Sequence, residues 1–203
     1  MRIRTTAGAA QAVLDEPADA RFLLVLTHGA GGGVDGADLL AARQAGLDQG
    51  AAVARVLQPY RVRGARAPGS VVRQDAAWLE IIAALRRRRG FRGLPLVQGG
   101  RSNGARVACR TAQAAGARAV IALAFPLHPP GHPERSRAAE LAGAGTDVLV
   151  INGESDPFGV PRGGGTATVI VLPGETHALS RRPGEIHRVV GTWLAGLLAA
   201  SGS

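Results

Sequence analysis

Short runs of consecutive apolar residues alternate along the chain with longer stretches in which apolar residues recur every three or four positions. The continuous runs are typical of strands buried on both faces, and the spaced stretches are typical of amphipathic helices. The predicted strands cover residues 22–26, 52–57, 94–98, 119–124, 147–151 and 166–172. The predicted helices cover residues 38–47, 71–89, 105–115 and a closing segment that begins near Pro183. A short hairpin is indicated before them, around Ile3 and residues 12–14.

This alternation of strands and helices predicts an α/β fold. Strands that are buried on both faces need helices on each side, so we expect a mostly parallel sheet of about seven strands with helices on both faces. No internal repeat and no linker interrupts the pattern, so residues 1–203 are expected to form a single domain. In sheets of this kind ligand sites lie at the carboxyl ends of the strands, which makes any motif directly after a strand a candidate site.

Charge and composition narrow the possible functions. The formal net charge is +9, and all 24 basic residues are arginines. Aromatic residues make up only 3% of the chain and no nucleic-acid-binding motif is found, so we expect no nucleic-acid partner. The absence of lysine excludes the phosphate-binding loops, kinases and Schiff-base enzymes that depend on one.

The single cysteine, Cys109, excludes an internal disulfide and a cysteine metal cluster, and its place inside a predicted helix indicates a small core residue. The longest apolar stretch, residues 119–129, is too short to cross a membrane, and residues 1–16 lack the apolar segment of a signal peptide. We therefore expect a cytoplasmic protein with no membrane partner. Nothing in the chain implies a metal or an organic cofactor.

The strongest chemical signal is the segment Gly100-Arg101-Ser102-Asn103-Gly104, a G-x-S-x-G pattern. The pattern is short and also occurs in loops without chemistry, but here an apolar strand precedes it and a helix follows it. A serine in that context sits on a sharp turn that presents its hydroxyl above the sheet, and the flanking glycines let the strand and helix approach closely. Ser102 is therefore the predicted nucleophile.

A serine nucleophile needs a base, and the base needs an acid. His177 lies between the last strand and the last helix, at the carboxyl end of the sheet, and is the predicted base. Asp156 follows the strand over residues 147–151 and is the predicted acid, with Glu154 as a competitor two residues away. Asp147 begins the same strand and is excluded because it lies at the opposite edge.

The oxyanion formed by nucleophilic attack needs backbone donors. The first predicted donor is the Asn103 N–H, and the second is the Ala30 N–H in the glycine-rich loop after the first core strand, with Gly31 as second choice. A dinucleotide-binding loop is excluded because the G-x-G-x-x-G spacing would need a glycine at Val34. The predicted substrate-binding residues are His28, Gly31, Tyr60, Leu127 and His128.

Six segments together resemble one family. They are LTHGAGGG, QPYRV, LVQGGRSNGARVACR, ALAFPLHPPGHPER, NGESDPFG and GETH, and they span residues 23–180. In this order they resemble the small α/β-hydrolases of the testis-expressed and NSL-complex subunit type, which are similar to dienelactone hydrolases. The resemblance implies an α/β-hydrolase fold without a large cap domain, with Ser102, Asp156 and His177 as nucleophile, acid and base. Asn103 departs from the apolar or small residue that is common at its position, and Ser155 from a charged one.

Two functions follow from these observations. The first is a serine hydrolase of small carboxylic esters or thioesters that needs no cofactor, or a related acyltransferase in which an alcohol replaces water. The second is a noncatalytic binding or scaffold protein with the same fold, since some relatives of this type resemble scaffold subunits. Residues 126–143 are either a short lid or an ordinary exposed loop. The sequence predicts no oligomeric state.

Overall fold

The structure, a computed structural model, describes residues 1–200. The last three residues of the predicted domain lie outside that range. The strands are β1 Arg2–Thr5, β2 Gly8–Asp15, β3 Phe22–Thr27, β4 Ala51–Leu57, β5 Leu96–Arg101, β6 Ala117–Leu123, β7 Asp147–Gly153 and β8 Ala167–Leu172. The helices are α1 Ala37–Asp48, α2 Pro59–Val62, α3 Val71–Arg86, α4 Asn103–Ala115, α5 Ala138–Ala142 and α6 Pro183–Ala199.

All eight strands form one sheet in the order β1-β2-β4-β3-β5-β6-β7-β8. The six strands from β3 to β8 pair in parallel, and β2 pairs antiparallel with both β1 and β4. The mostly parallel sheet predicted from the alternating pattern is confirmed. The sheet has eight strands rather than about seven, because both strands of the N-terminal hairpin belong to it.

Helices cover both faces of the sheet, as the continuous apolar runs predicted. Alternate residues of one strand point to opposite faces. In β3, Leu24 packs in the cluster that contains Leu39 of α1 and Ile186 of α6. Its neighbour Leu23 packs in the cluster that contains Trp78 of α3. None of the helices within residues 1–200 combines the length and the apolar character that crossing a membrane requires.

The structure differs from the sequence-based expectation at two short helices and at the ends of α3 and β5. Helix α3 ends at Arg86, three residues before its predicted end, and β5 begins at Leu96, two residues after its predicted start. Helices α2 and α5 have four and five residues, which is too short for a helical period to show in the sequence. Strand β5 extends to Arg101, three residues beyond its predicted end, because Gly100 pairs with Thr27 and Arg101 pairs with Leu123. Its glycines hid the extension, since glycine is rare in strand interiors.

Candidate active site

Ser102 occupies a sharp turn between β5 and α4. Its backbone has φ 53° and ψ −113°, a conformation that residues with a side chain rarely adopt. The Ser102 N–H donates to the Leu123 carbonyl at 2.8 Å, which ties the turn to the end of β6. The turn therefore holds the serine at the carboxyl edge of the sheet.

The two glycines of the G-x-S-x-G pattern are needed for steric reasons. A Cβ atom on Gly100 would lie 2.6 Å from the Thr27 carbonyl oxygen. A Cβ atom on Gly104 would lie 2.7 Å from the same oxygen and 2.8 Å from the His28 carbonyl oxygen. Real Cβ atoms do not approach backbone oxygens so closely. Glycine thus allows the turn to pack directly on the end of β3.

The structure brings Ser102, His177 and Asp156 together. His177 Nε2 lies 2.9 Å from Ser102 Oγ, and His177 Nδ1 lies 2.8 Å from Asp156 Oδ2. The Asp156 side chain is fully buried, whereas 18% of the His177 side chain remains exposed. With the carboxylate as acceptor, the network assigns the proton to Nδ1 and leaves Nε2 to accept from the serine hydroxyl.

Asp156 is held by the loop that follows β7. Its carboxylate accepts hydrogen bonds from the Phe158 N–H at 2.9 Å and from Asn152 Nδ2 at 3.2 Å. The Phe158 ring packs against the His177 imidazole, with ring centroids 4.2 Å apart. Sequence reasoning missed Asn152 and Phe158, although both lie in the NGESDPFG segment. The competitor Glu154 instead accepts from the Gly174 N–H at an exposed position.

The predicted oxyanion donors lie beside the serine. Asn103 is the first residue of α4, and such a residue has no partner for its N–H within the helix. The Gly32 N–H donates to the Gly29 carbonyl at 3.1 Å, which places Ala30 and Gly31 in the middle of a tight turn. A Cβ atom on Gly29 would lie 3.3 Å from Ser102 Cβ, so this turn packs against the nucleophile. The role of the Asn103, Ala30 and Gly31 N–H groups as oxyanion donors stays a prediction.

His28 and Tyr60 are both buried behind the glycine-rich loop. His28 Nδ1 lies 2.7 Å from the Gly29 carbonyl oxygen, and its Nε2 accepts from the Gln58 N–H at 3.0 Å. Both ring nitrogens are therefore used by the backbone, which leaves His28 no polar atom for a substrate. The Tyr60 ring meets the His28 ring edge-on at 5.7 Å. Burial raises the pKa of Tyr60 to about 12, against the opposing effects of Arg61 and Asn103.

Leu127 and His128 line a different cavity from the glycine-rich loop. A cavity of about 400 Å³ next to the serine turn is lined by the glycine-rich loop together with Asp38, Arg101 and Ala178. Leu127 and His128 line a separate cavity of about 550 Å³, formed with the segment after Phe158. Ser102 lines neither cavity, and the substrate-binding role of Leu127 and His128 stays a prediction.

The segment over residues 126–143 is fastened to the fold. Glu140 in α5 binds Arg106 and Arg110 of α4, with distances of 2.5–3.1 Å. Arg137 donates to the carbonyl oxygen of Pro126 at 3.0 Å and so closes the segment on itself. These ion pairs and this hydrogen bond hold residues 126–143 against α4, which favours an ordinary surface loop over a lid that opens.

Other reactive groups stay apart from this site. Burial raises the pKa of the Cys109 thiol to about 12, which keeps it protonated and unreactive in the core. Within residues 1–200, no three side chains of histidine, cysteine, aspartate or glutamate are grouped as metal ligands.

Comparison with known proteins agrees with the fold. Residues 20–164 match the model of an alpha/beta hydrolase domain family, and the chain belongs to that family. A search of curated proteins finds no match.

Among solved structures, Est1E from Butyrivibrio proteoclasticus bound to ferulic acid has a TM-score of 0.77 at 15% identity, covering 98% of this chain and 99% of Est1E. A lidless serine hydrolase from Xanthomonas campestris has a TM-score of 0.74 at 18% identity, with 95% and 91% covered. A dienelactone hydrolase from Anabaena variabilis has a TM-score of 0.69 at 14% identity, with 95% and 92% covered. The α/β-hydrolase fold without a large cap is thereby confirmed.

Proposed function

We propose that the protein is a serine hydrolase that cleaves small carboxylic esters or thioesters. The observation that carries the proposal is the unbroken series of hydrogen bonds from Ser102 through His177 to Asp156, at 2.9 and 2.8 Å. A serine hydroxyl is a weak nucleophile at neutral pH, and an acceptor nitrogen at this distance is within reach to remove its proton. The noncatalytic alternative has no comparable support, because a scaffold has no need of this alignment.

The proposed reaction runs in two halves. Ser102 Oγ attacks the acyl carbon while His177 takes its proton, and Asp156 stabilises the resulting imidazolium. The N–H groups of Asn103 and Ala30 hold the oxyanion, with Gly31 as second choice to Ala30. His177 then protonates the leaving alkoxide or thiolate, and an acyl-enzyme remains. Water attacks that ester with His177 as base, which releases the acid and restores Ser102.

The substrate class is proposed from the open surroundings of the serine. No large cap covers the site, and part of the His177 side chain is exposed, so a small or accessible acyl group fits best. We also propose that the protein is related to the small α/β-hydrolases of the testis-expressed and NSL-complex subunit type. Its substrate is proposed to be a small molecule, its location the cytoplasm, and nucleic acid is not among its proposed partners.

A fluorophosphonate probe read by intact mass tests the proposal, because such probes bond only to activated serines. We expect one stoichiometric adduct on the wild-type chain, none on Ser102→Ala, and much slower labelling of His177→Ala. The control is Ser136→Ala, which changes an exposed serine beside the other cleft and should leave labelling intact. A folded wild-type chain without an adduct would reject the hydrolase and favour the scaffold alternative.

A further inference from the structure

Arg101, the residue before the nucleophile, reaches across to the loop that carries His177. Its Nη2 donates to the backbone carbonyl of His177 at 2.9 Å. Ser102 and His177 are 75 residues apart in the sequence and lie on different elements. Because Arg101 is bonded to Ser102, this contact links the backbone of the histidine to the backbone of the serine.

Asp38 holds the guanidinium from the other side. Arg101 Nε lies 3.1 Å from Asp38 Oδ2, and only 2% of the Asp38 side chain is exposed. The other carboxylate oxygen accepts from the Leu39 N–H at 2.9 Å in the first turn of α1. Burial raises the pKa of the Asp38 carboxyl, and the Arg101 guanidinium opposes that rise. The contact is an ion pair without hydrogen-bond geometry, since Arg101 Nε and Asp38 Oδ2 have no hydrogen-bond partner. A buried carboxylate without a nearby cation would be costly, so the opposite charges favour keeping the two side chains together.

The turn that carries His177 contains a strained residue, so contacts from other elements are needed to hold it. Leu179, two residues after the histidine, has φ 47°, which is unfavourable for a branched side chain. Its N–H donates to the Thr176 carbonyl at 3.2 Å and closes a tight turn around His177. A strained turn persists only when its surroundings hold it, and the Arg101 contact is made at the histidine itself.

We propose that Arg101 is a positioning residue that keeps His177 aligned with Ser102, and that Asp38 fixes the direction of its guanidinium. This inference rests on the proposed hydrolase function. Its physical basis is that a displacement of about 1 Å in a reacting group can lower a rate about 100-fold. Both side chains also line the cavity of about 400 Å³ that the glycine-rich loop forms.

The experiment compares Arg101→Met with Arg43→Met. Arg43 is a matched control because it also pairs with an aspartate, Asp15, and its side chain is 26% exposed against 25% for Arg101. The maximal rate of fluorophosphonate labelling and the probe concentration that gives half of it are measured separately, with thermal unfolding alongside. We expect Arg101→Met to lower the maximal rate by about 10- to 100-fold with little change in the half-saturating concentration. Arg43→Met should label at the wild-type rate.

A second variant covers the case in which Arg101→Met does not fold. Arg101→Lys keeps a positive charge beside Asp38, but its single ammonium cannot occupy the positions of both Nε and Nη2. We expect it to unfold near the wild-type temperature and still label more slowly than the wild-type chain. Wild-type labelling by a folded Arg101→Met or by Arg101→Lys would overturn the inference, as would an equal slowing in Arg43→Met.

The failure of the proposed function has a different signature, since the wild-type chain itself would then carry no adduct. In that case the NMR resonance of the His177 Nδ1–H tests whether Arg101 positions His177. A shift or broadening in Arg101→Lys but not in Arg43→Met would support the positioning role. An unchanged resonance in both variants would reject it.

Discussion

Two histidines follow strands of the same parallel sheet, and they differ in what they bind. His28 comes directly after β3, is fully buried, and uses both ring nitrogens on backbone groups. His177 comes after β8, remains partly exposed, and uses both ring nitrogens on the side chains of Asp156 and Ser102. Backbone partners hold the His28 ring as part of the fold, whereas the His177 ring lies between two polar side chains at an open edge of the sheet.

The same contrast holds for charge. Burial lowers the pKa of His28, the hydrogen bond to the Gly29 carbonyl opposes this, and the nearby charge of Arg61 lowers it further. A proton added to its Nε2 would also displace the hydrogen bond from the Gln58 N–H. An imidazolium at His177 would instead have the Asp156 carboxylate at 2.8 Å. Burial thus favours a neutral ring at His28, whereas the proposed mechanism places a positive charge beside a carboxylate at His177.

The largest expected effect is the loss of activity in His177→Gln. Removing the base should slow the labelling of Ser102 by about 10³-fold or more. The melting temperature should change little, because the side chain is partly exposed and its partners belong to the site rather than to the core. Labelling kinetics and thermal unfolding on the same preparation check both parts. A large fall in melting temperature would instead place His177 among the structural residues, beside His28.

The opposite pattern is expected for His28→Phe. An aromatic ring of slightly larger size is kept, but the buried Gln58 N–H loses its acceptor and the Gly29 carbonyl keeps only the Gly32 N–H. The unsatisfied Gln58 N–H costs about 1–3 kcal/mol and the lost bond to Gly29 about 0.5–1.5 kcal/mol, so the free energy of unfolding should fall by about 1.5–4.5 kcal/mol. Denaturant unfolding measures this, with the exposed His132→Asn as control. Labelling should fall less than in His177→Gln, and an equal fall would mean that His28 belongs to the catalytic machinery.

The smallest expected effect concerns pH. The unfolded chain protonates His28 near its ordinary pKa of 6.5, whereas the folded chain holds that pKa lower. The unfolded state thus binds more protons below pH 6.5, and the stability contributed by the neutral ring is lost as the pH falls through this range. Between about pH 7 and pH 5, the wild-type chain should lose more stability than His28→Phe. Parallel slopes in denaturant unfolding at several pH values would contradict this.

The sequence predicted the nucleophile turn because three local signals coincide there: an apolar strand, a helix and two glycines around Ser102. It also predicted His177 and Asp156 because both follow strands whose carboxyl ends share one edge. It could not separate His177 from His28 by that rule alone, since both satisfy it. The partners of each ring come from distant elements and appear only in three dimensions.

Contacts made by long side chains could not be predicted from the sequence either, because their partners also lie on distant elements. Arg101 lies inside the recognised motif, yet nothing local indicates that it reaches Asp38 and the His177 carbonyl. Residues 126–143 read as a proline-rich loop, and the ion pairs of Glu140 with α4 depend on how the segment folds back. A pattern reports which face is buried, and it does not report which charged groups meet.

The backbone conformation of Ser102 has a consequence for how variants of this chain would be enriched in a selection experiment. A residue with a side chain held at φ 53° and ψ −113° carries a strain of about 1–3 kcal/mol, and glycine would adopt the same backbone more easily. The chain is therefore less stable at this position than it could be, and under the proposed function this loss of stability accompanies a reactive serine. A library of variants selected only for heat resistance would be expected to replace this serine early, and a library selected for turnover would keep it.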